Sequence, residues 1–250
     1  MGDSEDLHYN AMQIKPCIAP LIIYPKRLNI RADNWKCGGT CFFVKSEAIT
    51  FLVTAAHVYD EVVNCGTEFC PLLLPVNGAE PVDISKWRMI SESKFIDIAV
   101  VEVPPSFNLS SIGKEAFTYN SSPETRVAVD ESVFFMGYPG EHRTADSSSL
   151  TARITPCMDF VTSVNERAFF MSDDFRERKS ISYDPGFSQI ASFGGLSGSP
   201  MLAVREGIFN LVGVFIEGAF QSEGIHSPFK GAHFDFVNAD GSLDYLRMPF

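Results

Sequence analysis

Short apolar runs separated by turn-forming residues are the feature of this sequence that most limits its fold. Gly, Pro, Asn and Ser stand between runs that are rich in β-branched and aromatic side chains. Such runs predict strands, and many of them in succession predict an all-β sandwich or a pair of barrels. The predicted strands are 40–44, 49–54, 96–103, 126–129, 132–136, 150–154, 168–171, 201–204 and 209–216.

Helical patterning is weak and is confined to two short segments. Residues 55–63 predict one or two helical turns after a strand, and residues 243–247 predict a second short helix. Residues 104–123 begin with two prolines and end on a proline, which predicts a linker between two halves of about barrel size. Residues 172–195 show no alternation and predict long loops. The expected organisation is an acidic tail (1–13), a first half (14–118), a second half (119–238) and a C-terminal tail (239–250).

Composition excludes several classes of function. The chain has 250 residues, of which 45% are hydrophobic, so it can bury a core without disulfides or metals. Its 20 basic and 31 acidic residues give a net charge of −11, whereas a nucleic-acid partner needs a basic face. No apolar run reaches the roughly 18 residues of a membrane helix. The N-terminal sequence MGDSED is acidic and polar, whereas a signal peptide begins with basic residues and continues with apolar ones. We therefore expect a cytoplasmic protein with no nucleic-acid and no membrane partner.

The cysteines are expected to be free thiols. In a reducing compartment cysteines are usually unpaired and often buried. The spacings between the cysteines are irregular for a zinc site, so no metal is expected. No cofactor is expected either. A partial set of disulfides is the alternative, and export would favour it. The six residues are Cys17, Cys37, Cys41, Cys65, Cys70 and Cys157.

A histidine follows an apolar strand in the sequence FLVTAAHV at positions 51–58. The small Ala55 and Ala56 allow a tight turn, so the imidazole of His57 can point into a cleft. A single buried histidine at a strand end is the alternative interpretation.

An aspartate interrupts the apolar run FIDIAVV at positions 95–101. A carboxylate in such a run is costly unless another group holds it. Asp97 is therefore either an edge-strand charge that faces solvent, or a buried carboxylate that accepts the Nδ1–H of a histidine and fixes its tautomer.

Glycines flank a serine in the sequence GGLSGSP at positions 194–200, just before a predicted strand. Glycine lets backbone N–H groups converge and lets a substrate approach closely, although many such loops have no function. His57, Asp97 and Ser197 follow one another at intervals of 40 and 100 residues. This is the order of one known catalytic triad, with the serine in the second half of the chain.

These motifs resemble those of the trypsin and chymotrypsin superfamily of serine peptidases. TAAH at 54–57, DIAV at 97–100 and GLSGSP at 195–200 are similar to its histidine, aspartate and serine motifs. CGGT at 37–40 is similar to the segment that opens the strand before the histidine. LVGVFIEG at 211–218 is similar to the strand beside the primary specificity pocket. The resemblance covers about residues 30 to 220.

The resemblance implies two six-stranded Greek-key β-barrels of the chymotrypsin type, with the active site in the cleft between them. It implies that His57 is the general base and then the general acid, that Asp97 orients it, and that Ser197 is the nucleophile. The backbone N–H groups of Gly195 and Ser197 would form the oxyanion hole. The residues alone suggest the same roles, because a weak hydroxyl nucleophile needs a base and a pair of donors.

Three departures from the family pattern change what is expected. Val58 stands where digestive members carry a cysteine, so Cys37 lacks its usual partner, as in intracellular or bacterial branches. Digestive members carry an aspartate directly before the nucleophile, where it pairs with a newly cut N-terminus. Leu196 stands at this position here and cannot form an ion pair. Proteolytic removal of the first residues, up to about Lys15, is therefore not expected to activate the chain. We expect that the ordering of the loops at 172–195, through a regulatory protein partner, controls the activity. Ser199 replaces a glycine, and its hydroxyl needs a hydrogen-bond partner.

The specificity pocket is expected to be apolar. By the resemblance, Ala191 lies at its floor, and Ile216, Glu217 and Gly218 form one wall. Such a pocket predicts cleavage of protein or peptide substrates after small to medium apolar residues, whereas attraction of a basic residue by Glu217 is the alternative. A partner-gated or catalytically silent protein-binding module on the same fold is the alternative to an active endopeptidase.

Overall fold

The computed structural model describes residues 12–25, 36–66, 69–75, 80–119, 126–145, 150–171, 193–217 and 229–248. Eight of its strands form a first sheet. In chain order these are β1 (Ile18–Pro25), β2 (Lys36–Lys45), β3 (Thr50–Thr54), β4 (Phe69–Leu73), β5 (Val82–Asp83), β6 (Met89–Ser93), β7 (Ile98–Glu102) and β8 (Phe117–Thr118).

The first sheet places the histidine and aspartate motifs side by side. Its strand order is β5-β4-β1-β2-β3-β7-β6, and β8 pairs with β2. Strands β3 and β7 are antiparallel, and Thr54 at the end of β3 pairs with Ala99 near the start of β7. Because β3 ends where β7 begins, the residues that follow Thr54 and those that precede Ile98 meet at one edge of the sheet.

The second half of the chain forms a closed barrel with the strand order β12-β13-β16-β15-β14-β9. Closure leaves the barrel without a free edge. A two-stranded hairpin, β10 and β11, stands outside it. The strands are β9 (Ser132–Gly137), β10 (Arg143–Ala145), β11 (Leu150–Ala152), β12 (Thr155–Val164), β13 (Ala168–Met171), β14 (Pro200–Arg205), β15 (Ile208–Glu217) and β16 (Phe229–His233).

Two buried clusters hold these elements together. Inside the barrel, Phe135 stacks on Phe215 with their ring centroids 5.0 Å apart, and Phe229 packs against both. Outward-facing barrel residues such as Phe134 and Leu202 belong to the same buried cluster as the first sheet. A core shared by the two halves therefore fixes the walls of the cleft between them.

The predicted fold class is confirmed: the chain is all-β, and its two halves are of barrel type. The predicted count of six strands holds for the barrel. The first sheet has eight strands within the described residues, because the two-residue strands β5 and β8 extend it. Its strands lie within residues 18–118, and those of the barrel lie within 132–233.

Helix α1 (Ala56–Val63) confirms the helical turns predicted after the third strand. The second predicted helix, at 243–247, is wrong. These residues form turns, because Leu243 makes a β-bridge with Val237 and the Asp244 carboxylate accepts the Leu246 N–H. Short 3-10 turns cover Lys15–Cys17, Leu109–Ile112, Gly140–His142 and Phe234–Phe236.

The strand predicted at 126–129 is also wrong. The Glu131 carboxylate accepts the Ala128 N–H, so a side chain takes the donor that a ladder would need. The chain then turns through Asp130, whose φ is +67°. Several strands escaped prediction because proline, glycine or polar residues interrupt their apolar pattern: β1, β4, β6 and β16.

The predicted linker is more ordered than its composition indicates. Residues 109–112 form a 3-10 turn, and β8 pairs in parallel with β2. The buried Lys114 donates a hydrogen bond to the Ile18 carbonyl, which ties this segment to β1. Residues 120–123 of the predicted linker, and 172–192 of the predicted loops, lie outside the described residues.

The described residues provide no metal site of at least three His, Cys, Asp or Glu side chains. No helix among them has the length and apolar character of a membrane span. Three cysteines within the described residues are free thiols: Cys17, Cys41 and Cys65.

Candidate active site

His57 lies in the first turn of α1, directly after β3. Ala55 is extended, with φ −70° and ψ 142°, and Ala56 begins the helix. Both alanines are fully buried, so the turn from strand to helix packs tightly against the sheet. The side chain of His57 remains half exposed, and it lines the cleft between the two halves.

Asp97 lies in the turn that joins β6 to β7. Its φ is +60°, a left-handed conformation that is uncommon for a residue other than glycine and that persists where the surrounding structure enforces it. The Asp97 carbonyl accepts the Ala56 N–H at 3.1 Å, and its Oδ2 lies 2.7 Å from His57 Nδ1. An ionised carboxylate only accepts hydrogen bonds, so this contact assigns the proton to Nδ1.

The pKa of His57 is raised above its ordinary value. The hydrogen bond that the imidazole donates to the Asp97 carboxylate is the largest cause, and the negative charges of Asp97, Glu61 and Glu217 act in the same direction. Partial burial opposes them. The imidazole therefore binds a proton more strongly than a free histidine, which suits a group that takes a proton and later returns it.

Ser197 lies in a loop that both halves of the chain hold. We call residues 193–198 the oxyanion loop, after the role that the sequence resemblance predicts for it. The Ser197 carbonyl accepts the N–H of Thr40 on β2 at 2.8 Å, and the next residue, Gly198, donates its N–H to Phe215 O at 2.7 Å. The preceding side chain, Leu196, is fully buried in the barrel core. The serine therefore projects from a loop that is fixed on both sides.

The Ser197 hydroxyl donates a long hydrogen bond, 3.5 Å, to the carbonyl of Ile216. Within the described part of the chain it forms no hydrogen bond with His57. Both side chains line the same cleft, as Asp97 does. The structure thus brings the three predicted residues to one cleft, and it joins two of them directly.

Two backbone N–H groups of the oxyanion loop lack a hydrogen-bond acceptor within the described residues. The Gly194 carbonyl accepts the Gly140 N–H at 2.6 Å, away from Ser197. In a trans peptide the C=O and N–H point in opposite directions, so the Gly195 N–H faces the other way. The N–H groups of Gly195 and Ser197 donate to no acceptor among the described residues. Gly195 has φ +92°, a conformation that favours glycine.

The departures from the family pattern have structural explanations. The Ser199 hydroxyl donates to the Leu196 carbonyl at 2.6 Å, which supplies the partner that the sequence required. Gly39 on β2 faces Val58: a Cβ atom on Gly39 would lie 2.7 Å from both Val58 methyl carbons. The side chain of Cys37, for which the resemblance implies no disulfide partner, lies outside the described residues.

The cleft has a volume of about 750 Å³ and both halves line it. Ile216 is buried in its wall, whereas the Glu217 carboxylate is exposed and lies 3.9 Å from Lys230 Nζ. Ala191 and Gly218, the other predicted pocket residues, lie outside the described residues.

Other cleft residues escaped the sequence analysis. The Arg167 guanidinium lies 3.8 Å from the centroid of the Phe95 ring, so a residue of the barrel crosses to the first half. Lys94, beside Phe95, pairs with Asp60 at 2.5 Å. Arg167 and Phe95 look like ordinary surface residues in the sequence, and only the packing of the two halves brings them together.

No family model and no curated protein matches the chain. Solved structures are similar to it in overall fold. The serine protease domain of the Sesbania mosaic virus polyprotein has 17% identity and a TM-score of 0.44, over 87% of this chain and 89% of that one. Deg5 has 16% identity and a TM-score of 0.49, over 87% of each chain. The apo MamO protease domain from Magnetospirillum magneticum has 10% identity and a TM-score of 0.48, over 88% of this chain and 92% of that one.

Proposed function

We propose that the chain is a trypsin-like serine endopeptidase that cleaves protein or peptide substrates through an acyl-enzyme. The observation that carries the proposal is one arrangement in the cleft. An imidazole held by Asp97 and the hydroxyl of Ser197 line the same cleft, and two backbone N–H groups of the oxyanion loop have no acceptor within the described residues. These are the base, the nucleophile and the donor pair that acyl transfer requires.

Acylation begins when Ser197 Oγ leaves the Ile216 carbonyl and turns toward His57 Nε2. The oxygen attacks the carbonyl carbon of the scissile peptide bond, and Nε2 accepts the hydroxyl proton. Asp97 holds the Nδ1–H and stabilises the imidazolium that forms. The negative charge that develops on the substrate oxygen is received by the N–H groups of Gly195 and Ser197.

The acyl-enzyme forms when the tetrahedral intermediate collapses. The C–N bond breaks, and the amine leaves with the proton that His57 carried. A water then attacks the ester carbon and gives its proton to His57. The imidazolium returns that proton to Ser197 Oγ, which releases the new carboxyl terminus and restores the resting enzyme.

Hydrolysis of a peptide library tests the proposal. The parent chain should release peptide fragments, and Ser197→Ala should lower the rate to the residual level that a donor pair and binding alone support. Ser110→Ala, which changes a serine outside the cleft, is the matched control and should cleave like the parent. Equal cleavage by Ser197→Ala and the parent would overturn the assignment, and no cleavage by the parent would favour a silent fold.

A further inference from the structure

We propose that Arg143 is a positioning residue for the oxyanion loop. Its guanidinium, together with the hydroxyl of Thr40, holds the Gly195 N–H in the donating orientation. The inference rests on the proposed function and concerns the orientation of one peptide group of the site.

Arg143 lies at the start of β10 and is almost fully buried, with 6% of its surface exposed. Its Nε and Nη2 donate to the Tyr138 carbonyl at 3.2 and 2.6 Å. Longer contacts of 3.4, 3.3 and 3.4 Å reach the carbonyls of Gly38, Gly39 and Gly195. These carbonyls belong to β2, to the segment after β9 and to the oxyanion loop. One rigid fork of donors therefore joins three segments.

Thr40 makes the second connection. Its side chain is fully buried, and its Oγ1 donates to the Gly195 carbonyl at 2.8 Å. The same oxygen accepts the Tyr138 N–H at 2.9 Å. The backbone N–H of Thr40 donates to the Ser197 carbonyl. A single residue of the first sheet thus contacts the loop on both sides of Leu196.

These contacts fix the peptide groups on both sides of Gly195. Gly140 holds the carbonyl before it, while Thr40 and Arg143 hold its own carbonyl. The space behind the residue is closed as well. A Cβ atom on Gly195 would lie 2.7 Å from Arg143 Nη2 and 2.8 Å from both Gly140 N and Tyr138 O. Neither φ nor ψ of Gly195 can turn without breaking these bonds, so the orientation of its N–H is fixed.

The charge of Arg143 acts in the same direction. A buried cation behind Gly195 favours negative charge on the opposite side of that peptide, where the oxyanion develops. Such an interaction is stronger in the transition state than in the bound substrate. Loss of Arg143 should therefore lower the rate of the chemical step more than it weakens binding.

The test uses a biotin-linked fluorophosphonate. Its reaction with Ser197 depends on the two backbone donors, and it can be measured without knowing the natural substrate. We expect Arg143→Met to lower the maximal labelling rate about 10²-fold, while the half-saturating probe concentration changes less than about 3-fold. Arg205→Met is the matched control. Arg205 is a partly buried arginine that binds Glu131 on the barrel, away from the cleft. Labelling of Arg143→Met at the rate of this control would overturn the inference.

A second pair of variants keeps the test decisive if Arg143→Met does not fold. Thr40→Val keeps the shape of the side chain and loses the hydroxyl, and should lower the maximal labelling rate about 10-fold or more. Thr40→Ser keeps the hydroxyl and should stay within about 3-fold of the parent. Equal rates for these two variants would overturn the inference.

The histidine titration separates loop orientation from other causes. The pKa of the His57 imidazole should be the same in the parent and in Thr40→Val, because the His57–Asp97 bond is untouched; a changed pKa would assign the loss to the base and overturn the inference. The two proposals also fail differently. A parent that the fluorophosphonate does not label overturns the proposed function, whereas a labelled parent with equally labelled variants overturns this inference alone.

Discussion

Both carboxylate oxygens of Asp97 bind the same residue, His57. Oδ1 accepts its backbone N–H at 2.9 Å, and Oδ2 accepts the imidazole Nδ1–H at 2.7 Å. The first bond satisfies a free donor in the first turn of α1, where Ala55 offers no capping side chain. The second fixes the ring. One carboxylate thus supports both the start of the helix and the tautomer of the base, and substitutions can separate these effects.

Asp97→Asn should keep the fold and lose about 10⁴-fold in turnover. The asparagine oxygen can still accept the His57 N–H, but its NH₂ group then faces Nδ1 and favours the wrong tautomer. Asp97→Ala removes both bonds and should also lower the free energy of unfolding by about 1 kcal/mol, the usual value of a helix cap. Turnover and chemical denaturation of the two variants measure these effects.

Parent-like turnover of Asp97→Asn would mean that another carboxylate orients His57. Asp60 and Asp83 are then the next candidates. The structure gives both of them other partners: Asp60 pairs with Lys94, and Asp83 accepts the Ser85 N–H.

The activity should fall as the pH falls through the raised pKa of His57. The protonated imidazole cannot accept the Ser197 proton, and its pKa lies above the ordinary value of 6.5. Asp97→Asn removes the largest cause of the shift and should lower this pKa. NMR titration of His57 in Ser197→Ala, with and without Asp97→Asn, measures both values. An unchanged pKa after Asp97→Asn would contradict the assignment.

The same titration has a consequence for stability. Because the folded chain binds the His57 proton more tightly than the unfolded chain, the protonated form favours folding. This contribution is fully present below about pH 6.5 and is lost as the pH rises through the folded pKa.

Gly137→Ala should destabilise the fold by about 1–3 kcal/mol through overpacking. The new Cβ atom would lie 2.0 Å from Ser199 Oγ and 2.8 Å from Thr40 Oγ1. Ser199→Gly in the same chain removes the closest of these atoms and should recover part of the loss. Urea denaturation of the two single variants and the double variant gives the coupling between the sites. Strictly additive losses would mean that Ser199 does not fill the space beside Gly137.

Cleavage should follow small to medium apolar residues, and Glu217→Gln should leave this preference unchanged. Ile216 gives the cleft an apolar wall, and the Glu217 carboxylate is exposed to solvent near Lys230, where a single charge contributes little. Profiling of the residue before the cut bond in a peptide library measures the preference. A dominant preference for Arg or Lys that Glu217→Gln abolishes would assign specificity to Glu217 instead.

The sequence could predict the parts of this molecule that short segments encode. The apolar run before Thr54 predicted β3, and the small residues after it predicted the turn that presents His57. Gly195 and Gly198 marked the oxyanion loop, and both have positive φ. The all-β class followed from the spacing of turn residues.

The sequence could not predict the contacts that depend on how the two halves pack. Arg143 stands among polar residues in the sequence GEHRTAD and looks like an exposed loop residue. Its burial depends on Gly38 and Gly39, about 100 positions earlier. Thr40 looked like part of a strand motif, and nothing local shows that its hydroxyl reaches Gly195.

Mapping the site of fluorophosphonate labelling tests the central claim most directly. Attack by Ser197 Oγ on phosphorus expels fluoride, and His57 takes the hydroxyl proton, so the adduct marks the activated serine. We predict a single modified peptide that contains Ser197, formed in the folded chain and absent after heat denaturation or His57→Ala. A label on another serine, or a folded parent that stays unmodified, would contradict the assignment of Ser197 as the nucleophile.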